Sequence, residues 1–179
     1  MINFLIRFVK LIKNKLICEV RNIYQNYSKR LGFQEKMYSK NNLDRTQGLK
    51  LINKILRKQN LKIYDESNGM YSEHLIMFAS IAYQSKTKIN SILEIGTFDG
   101  ITSILLSNLF PNSEIITIDL KDDDPIFKSI YERRDDILRK KFIFERNNRL
   151  SKFKNIKFIQ FNSLQLTLNP LSNKKFDLI

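Results

Sequence analysis

Six residues in the second half of the chain have the types and spacing to hold a small molecule. They are Glu94, Gly96 and Gly100 in "SILEIGTFDG" (91–100), Asp119 at the end of "SEIITIDL", and Asn162 with Ser163 after "NIKFIQF". A glycine turn after a short apolar run lets backbone approach a ligand closely, and the amides that open the next helix can receive an anion. A nucleotide P-loop needs glycine, four residues and then Gly-Lys-Ser/Thr, and nothing in the chain supplies it. The dinucleotide turn Gly-x-Gly-x-x-Gly uses its second glycine to admit a pyrophosphate. Counting from Gly96, that position is Phe98, whose ring would crowd a diphosphate, while Glu94 just upstream repels one. Both features point to a cofactor without phosphates.

S-adenosyl-L-methionine fits that description, with a sulfonium and an ammonium cation, one carboxylate and free ribose hydroxyls. Glu94 suits the cationic end, Gly96 the tight turn, and Gly100 a helix that begins close to the ligand. Asp119, 19 residues after Gly100, suits an acid accepting from both ribose hydroxyls. Asn162 and Ser163 suit the adenine edge. Every one of these positions falls at the carboxyl end of a strand, where open α/β sheets bind ligands.

The elements that must position them follow from periodicity. "INSILEI", "SEIITIDL" and "NIKFIQF" read as buried strands, and "KKFDLI" as the start of a fourth. Between the first two, "GITSILLSNLF" places Ile101, Ile104, Leu105 and Leu109 on one helical face, stopped by Pro111. "PIFKSIYERRDDILRKKFIFERNNRL" reads as one long charged helix with Pro125 near its start, where proline is tolerated. The acids Asp122, Asp123 and Asp124 read as a solvated loop that favours that helix start electrostatically. Strands alternating with helices imply a parallel sheet with right-handed crossovers, an α/β fold. Upstream, Leu49, Ile52, Ile55 and Leu56 mark one helix. Leu75, Phe78, Ala79, Ala82 and Tyr83 mark another.

In this order and spacing, "ILEIGTFDG", "IITIDL", "IKFIQFNS" and "KFDLI" resemble the successive strands of class I S-adenosylmethionine-dependent methyltransferases. The similarity is nearest to the branch with the catechol and caffeoyl-CoA O-methyltransferases, whose first motif is likewise Glu-x-Gly-x-x-x-Gly. It covers about residues 68–179. The resemblance implies a Rossmann-like parallel sheet, here partial with strand order 3-2-1-4. It implies a methionine-side loop of Glu94, Gly96, Thr97, Phe98 and Gly100, a ribose acid at Asp119 with Leu120 beside it, and Asn162 and Ser163 flanking adenine. Ser72 and Glu73, in "MYSEHLIMFASIA", would border the cofactor. In the family the residues that address the methyl acceptor follow strands four to seven, and the metal-dependent members place their first metal aspartate a few residues beyond an "FDLI"-like stretch. The chain is therefore expected to be a fragment carrying the cofactor half-site, inactive by itself, with no catalytic base or metal ligand assigned. A divalent metal would enter only in a longer chain. The expected acceptor is a small molecule or a glycan.

Composition bounds the alternatives. The net charge is +13, and it is concentrated. Residues 1–62 hold 15 Lys and Arg against 3 Asp and Glu, and residues 63–179 hold 16 against 15. The division expected is a basic helical N-terminal extension (1–62) and the methyltransferase-like part (63–179). Within the extension, Ile2, Leu5, Val9, Ile12 and Leu16 form a helical stripe interrupted by Arg7, Lys10, Lys13 and Lys15. Those charges argue against a membrane span. Two readings stand: an interfacial helix in which residues 1–20 touch an anionic membrane, and a helix that packs on protein. The one cysteine, Cys18, excludes an internal disulfide and fits a reducing compartment. The one histidine, His74, leaves Ser-His chemistry little to draw on. A cytoplasmic protein, at most peripheral at the inner membrane face, is expected. Two other functions compete: an NAD(P)-dependent oxidoreductase, against which Phe98 counts, and a non-enzymatic basic module for anionic membrane or nucleic acid, of which nucleic acid is the less expected partner.

Overall fold

The computed structural model describes residues 32–64, 73–84, 88–168 and 170–179. The N-terminal stripe, Cys18, the turn expected at 65–70 and Ser72 lie outside the described residues. The chain divides into two compact units, Met1–Arg45 and Thr46–Ile179. In the first, residues 32–40 are helical. Asn42 turns left-handed (φ 54°) and Leu43 N donates to Tyr38 O at 2.8 Å, a helix stop that asparagine tolerates better than most residues.

All of α1 (Arg45–Lys58) but its first residue belongs to the second unit, and the helix ends in the same way: Asn60 has φ 54° and Leu61 N donates to Leu56 O at 2.8 Å. Its buried face is Gly48, Ile52, Ile55 and Leu56, close to the sequence stripe. A Cβ on Gly48 would fall 2.0 Å from Ser80 Oγ and 2.6 Å from Ile76 O. The glycine thus lets α1 lie directly against α2 (Glu73–Gln84). In α2 the stripe read from the sequence is displaced. Ile76, Ala79 and Ser80 are buried, whereas Tyr83 is 56% exposed. The Ser80 hydroxyl donates to Ile76 O at 2.8 Å, so it is satisfied within its own helix and its small side chain fits under Gly48.

The sheet is built from β1 (Ser91–Ile95), β2 (Glu114–Asp119) and β3 (Ile156–Gln160), all parallel, with β2 between the other two. This is an α/β architecture compatible with a Rossmann-like fold. Ile115, Ile116 and Ile118 are at most 1% exposed. A central strand covered on both faces needs such a continuous apolar run. One face packs Leu93, Ile116 and Ile118 with Ile159, Leu171 and Phe176. On the opposite face, Glu94 and Thr117 stand side by side in register. There they meet α3 (Ile101–Leu109), which buries Ile104, Leu105, Leu106 and Leu109. At the C-terminal end, Leu178 makes a single parallel bridge to Ile92, on the side of β1 away from β2.

The long helix expected over 125–150 is three pieces. α4 (Pro125–Ser129) starts with proline in its first turn and an Asp124 side chain that accepts from Ile126 N. Ile130 is extended and Tyr131 has φ 55°, so the helix cannot continue. A 3-10 turn, Tyr131–Arg134, follows. α5 (Asp136–Leu150) then restarts under its own cap, with Asp135 accepting from Ile137 N and Leu138 N. Two aspartates, each with the geometry of an N-cap, mark two helix starts where hydropathy alone showed one.

Candidate functional site

The turn after β1 is held mainly by backbone. Gly96, at φ 95°, donates to Ile118 O at 2.8 Å, and Gly100, at φ 77°, donates to Thr97 O at 2.8 Å. Both conformations are ones that side chains rarely adopt. The two glycines differ in their surroundings. A Cβ on Gly96 would meet nothing within 4 Å, so the space over this residue is open. A Cβ on Gly100 would lie 2.8 Å from Leu150 Cδ2. A side chain at Gly100 would therefore collide with α5.

Two carboxylates dominate the site. Asp119 uses one oxygen to accept Phe98 N at 2.8 Å and the other to accept Leu120 N at 2.8 Å. It therefore ties the glycine turn to the end of β2, and each oxygen keeps a second lone pair for another donor. Glu94 is half-buried and accepts from Ser103 Oγ on the first turn of α3. It is also hydrogen-bonded to Thr117. Thr97, 2% exposed, lies with its hydroxyl 2.6 Å from that of Thr117. While Glu94 is ionised it can only accept, and in that state Thr117 gives its proton to Glu94 and Thr97 gives its own to Thr117. Burial pushes the Glu94 carboxyl above the usual carboxylate range. The two hydroxyls work against that rise, and the negative charges of Asp99 and Asp119 add to it. A cation brought to this corner would relieve the repulsion.

Asp99 accepts Ile101 N at 3.0 Å and lies 3.8 Å from Arg149, which also donates to the Asp99 carbonyl. Phe161 N donates to Asp119 O at 2.6 Å, which brings the start of the β3 loop beside the acid. There the Asn162 side chain accepts Leu164 N at 3.0 Å and opens a 3-10 turn, Ser163–Leu168. Glu94, Gly96, Thr97, Phe98, Gly100, Asp119 and Leu120 are thus linked by hydrogen bonds made directly or through Thr117 and Ile118, and Asn162 and Ser163 border them through β3. Glu73 and His74 lie on α2, Glu73 in its first turn. Among the described residues no group of three or more His, Cys, Asp or Glu could hold a metal ion. An open cleft of about 580 Å³ lies elsewhere, lined by Pro111, Ser113, Glu114 and Lys157 near the amino ends of β2 and β3.

Sequence reasoning missed the wall beside the turn. Phe98, at φ 49°, packs its ring against Tyr131 (5.8 Å between centroids) and Phe142 (5.4 Å). Arg133, 6% exposed, sits among them, 4.2 Å from the Phe127 ring centroid, 5.3 Å from Phe142 and 5.5 Å from Phe98. Burial lowers its pKa, and Asp119 works in the other direction. Behind it Arg146 is wholly buried. One of its terminal nitrogens is shared between the two Asp122 oxygens at 2.9 and 3.1 Å, and its plane lies 4.5 Å from the Phe158 ring centroid. Asp122 therefore serves an ion pair, which differs from the solvated loop expected. The only available signal was the interleaving of Phe and Arg in the 125–150 segment, which a charged surface helix would show as well.

Comparison of the sequence with protein-family models and with curated proteins finds no match to either.

Proposed function

We propose that the chain carries the cofactor half-site of an S-adenosylmethionine-dependent methyltransferase whose acceptor is a small molecule or a glycan. The observation that carries this reading is the pair of carboxylates, Glu94 and Asp119, on neighbouring strands beside an open left-handed turn at Gly96. Their mutual repulsion favours a ligand bearing positive charge and disfavours one bearing phosphate. When bound, the cofactor supplies a methyl group already activated by its sulfonium. Glu94 would face that cationic end, with its orientation fixed by Ser103 and Thr117. The second lone pairs of Asp119 would accept the ribose hydroxyls, and Asn162 and Ser163 would border the adenine. Such a site works by alignment, since in-line transfer needs the acceptor and the methyl held in near-attack geometry. The parallel bridge from Ile92 to Leu178 supports a fourth strand beside β1, in the order 3-2-1-4. Peripheral location at the inner membrane face belongs to the same reading. Among the described residues, no helix is long and apolar enough to cross a membrane.

Isothermal titration with S-adenosylhomocysteine and, separately, NADH tests the proposal. Saturable binding of the first is expected, with Asp119→Ala weakening it about tenfold or more, the worth of a charge-assisted hydrogen-bonding group. Tight binding of NADH in its place, or of neither ligand, defeats the reading.

A further inference from the structure

α5 packs Phe142 and Leu150 inward and also carries large apolar side chains on its outward face. Arg146 points inward with no exposed surface, while Ile137 is 78% exposed and Phe144 is 70% exposed. At 100° per residue, Ile137, Lys141, Phe144 and Asn148 fall on one narrow face, flanked by Lys140 and opposite Arg146. The Lys141 side chain is 70% exposed, and its partner Glu145 is 3.9 Å away, at the limit of an ion pair. The outward face is thus two large apolar side chains one heptad apart with two lysines between them.

We infer that this face of α5 docks on an anionic lipid surface. Ile137 and Phe144 would enter the boundary between headgroups and acyl chains, and Lys140 and Lys141 would extend their ammonium groups to the lipid phosphates. Charge decides among the occupants. A second copy of the chain related by a two-fold axis through this face would set Lys140 and Lys141 against their own counterparts. A nucleic acid would satisfy the lysines and leave Ile137 and Phe144 facing phosphate and water. An anionic membrane matches both groups. The inference does not depend on the methyltransferase reading, because the face lies away from the Arg146 side that packs towards β3.

The chain contains no tryptophan, so Phe144→Trp places a single fluorophore on the proposed contact. With full-length protein and vesicles of phosphatidylcholine mixed with phosphatidylglycerol, the emission is expected to move to shorter wavelength. Brominated acyl chains should quench it, and salt should reverse the effect. Lys140→Gln with Lys141→Gln should weaken vesicle partitioning about thirtyfold, the usual worth of two lysines at an anionic surface. Ile137→Trp repeats the measurement should Phe144→Trp melt at a lower temperature than wild type. Three results would overturn the inference. One is protein that floats with vesicles while the tryptophan stays solvent-exposed, which would place the contact elsewhere, as on residues 1–20. Another is a blue shift that rises with protein concentration without lipid, which would indicate a second copy. The third is no vesicle binding, including the case where the face captures an acidic protein.

Discussion

At its amino end β1 is held by a carboxylate from the C-terminal segment. One Asp177 oxygen accepts Asn90 N at 2.8 Å, Ser91 N at 3.0 Å and Ser91 Oγ at 3.3 Å. At its carboxyl end β1 presents Glu94, which has two hydroxyl donors and two negative neighbours. The backbone donors hold the Asp177 carboxyl below the usual carboxylate range, whereas burial pushes that of Glu94 above it. One strand therefore carries a carboxylate whose surroundings reward its charge and another whose surroundings penalise it. The first kind fastens a fold. The second stores electrostatic free energy that a ligand of opposite charge can release, and such groups gather at binding sites.

The carboxyl end should be the more easily broken. Gly100→Val puts a β-branched side chain at φ 77° and its Cβ 2.8 Å from Leu150. The left-handed conformation and the overpacking together cost about 3 kcal/mol. Urea denaturation should show this as a lower midpoint at unchanged slope. An effect under about 0.5 kcal/mol would mean that Leu150 does not hold the turn.

A second substitution probes how Glu94 is restrained. Thr117→Val removes a donor to Glu94 and leaves the buried Thr97 hydroxyl without its acceptor, at a cost of about 2 kcal/mol. If the protons run from Thr97 to Thr117 to Glu94, adding Thr97→Val to that variant should restore part of the loss, because the orphaned hydroxyl is gone. Strict additivity of the two substitutions would break the chain of donors and the contrast that depends on it.

How much of this contrast was legible in the sequence depends on the range of the interactions involved. The three strands, α3 and the glycine turn follow from local pattern, since Ile104, Leu105 and Leu109 recur at helical spacing after a glycine. The Asn42 and Asn60 stops, the break at Ile130–Tyr131 and the inward Arg146 were not legible. The first two are single left-handed residues with no hydropathy signature. The third depends on Asp122, 24 residues away, and on the Phe158 ring across the sheet. The candidate site divides in the same way. Glu94 and Asp119 could be placed by position on their strands. The Thr97–Thr117 pair, 20 residues apart, and the Arg133 wall appear only once β1 and β2 are in register and α5 has packed.

The smallest effects give the sharpest test, because the two carboxylates should respond to pH with opposite signs. Asp177 has a depressed pKa in the fold, so its contribution is present above the unfolded carboxylate value of about 4 and is lost as pH falls through the folded value. Asp177→Asn should therefore lower stability at neutral pH and converge on wild type in acid. The loss should be slight, since the group is solvent-exposed. Glu94 has a raised pKa in the fold. Its favourable state is the protonated one, fully present below the unfolded value and lost as pH rises through the folded value. Glu94→Gln should consequently be more stable than wild type at neutral pH, with the gain fading below about pH 4. Thermal melts of the two variants across this range should diverge from wild type in opposite directions at high pH and meet it at low pH. If S-adenosylhomocysteine then binds Glu94→Gln more weakly even though the variant is more stable, the free energy stored at Glu94 serves the ligand. If binding is unchanged, the raised pKa is a consequence of packing alone and the distinction between the two ends of β1 is structural.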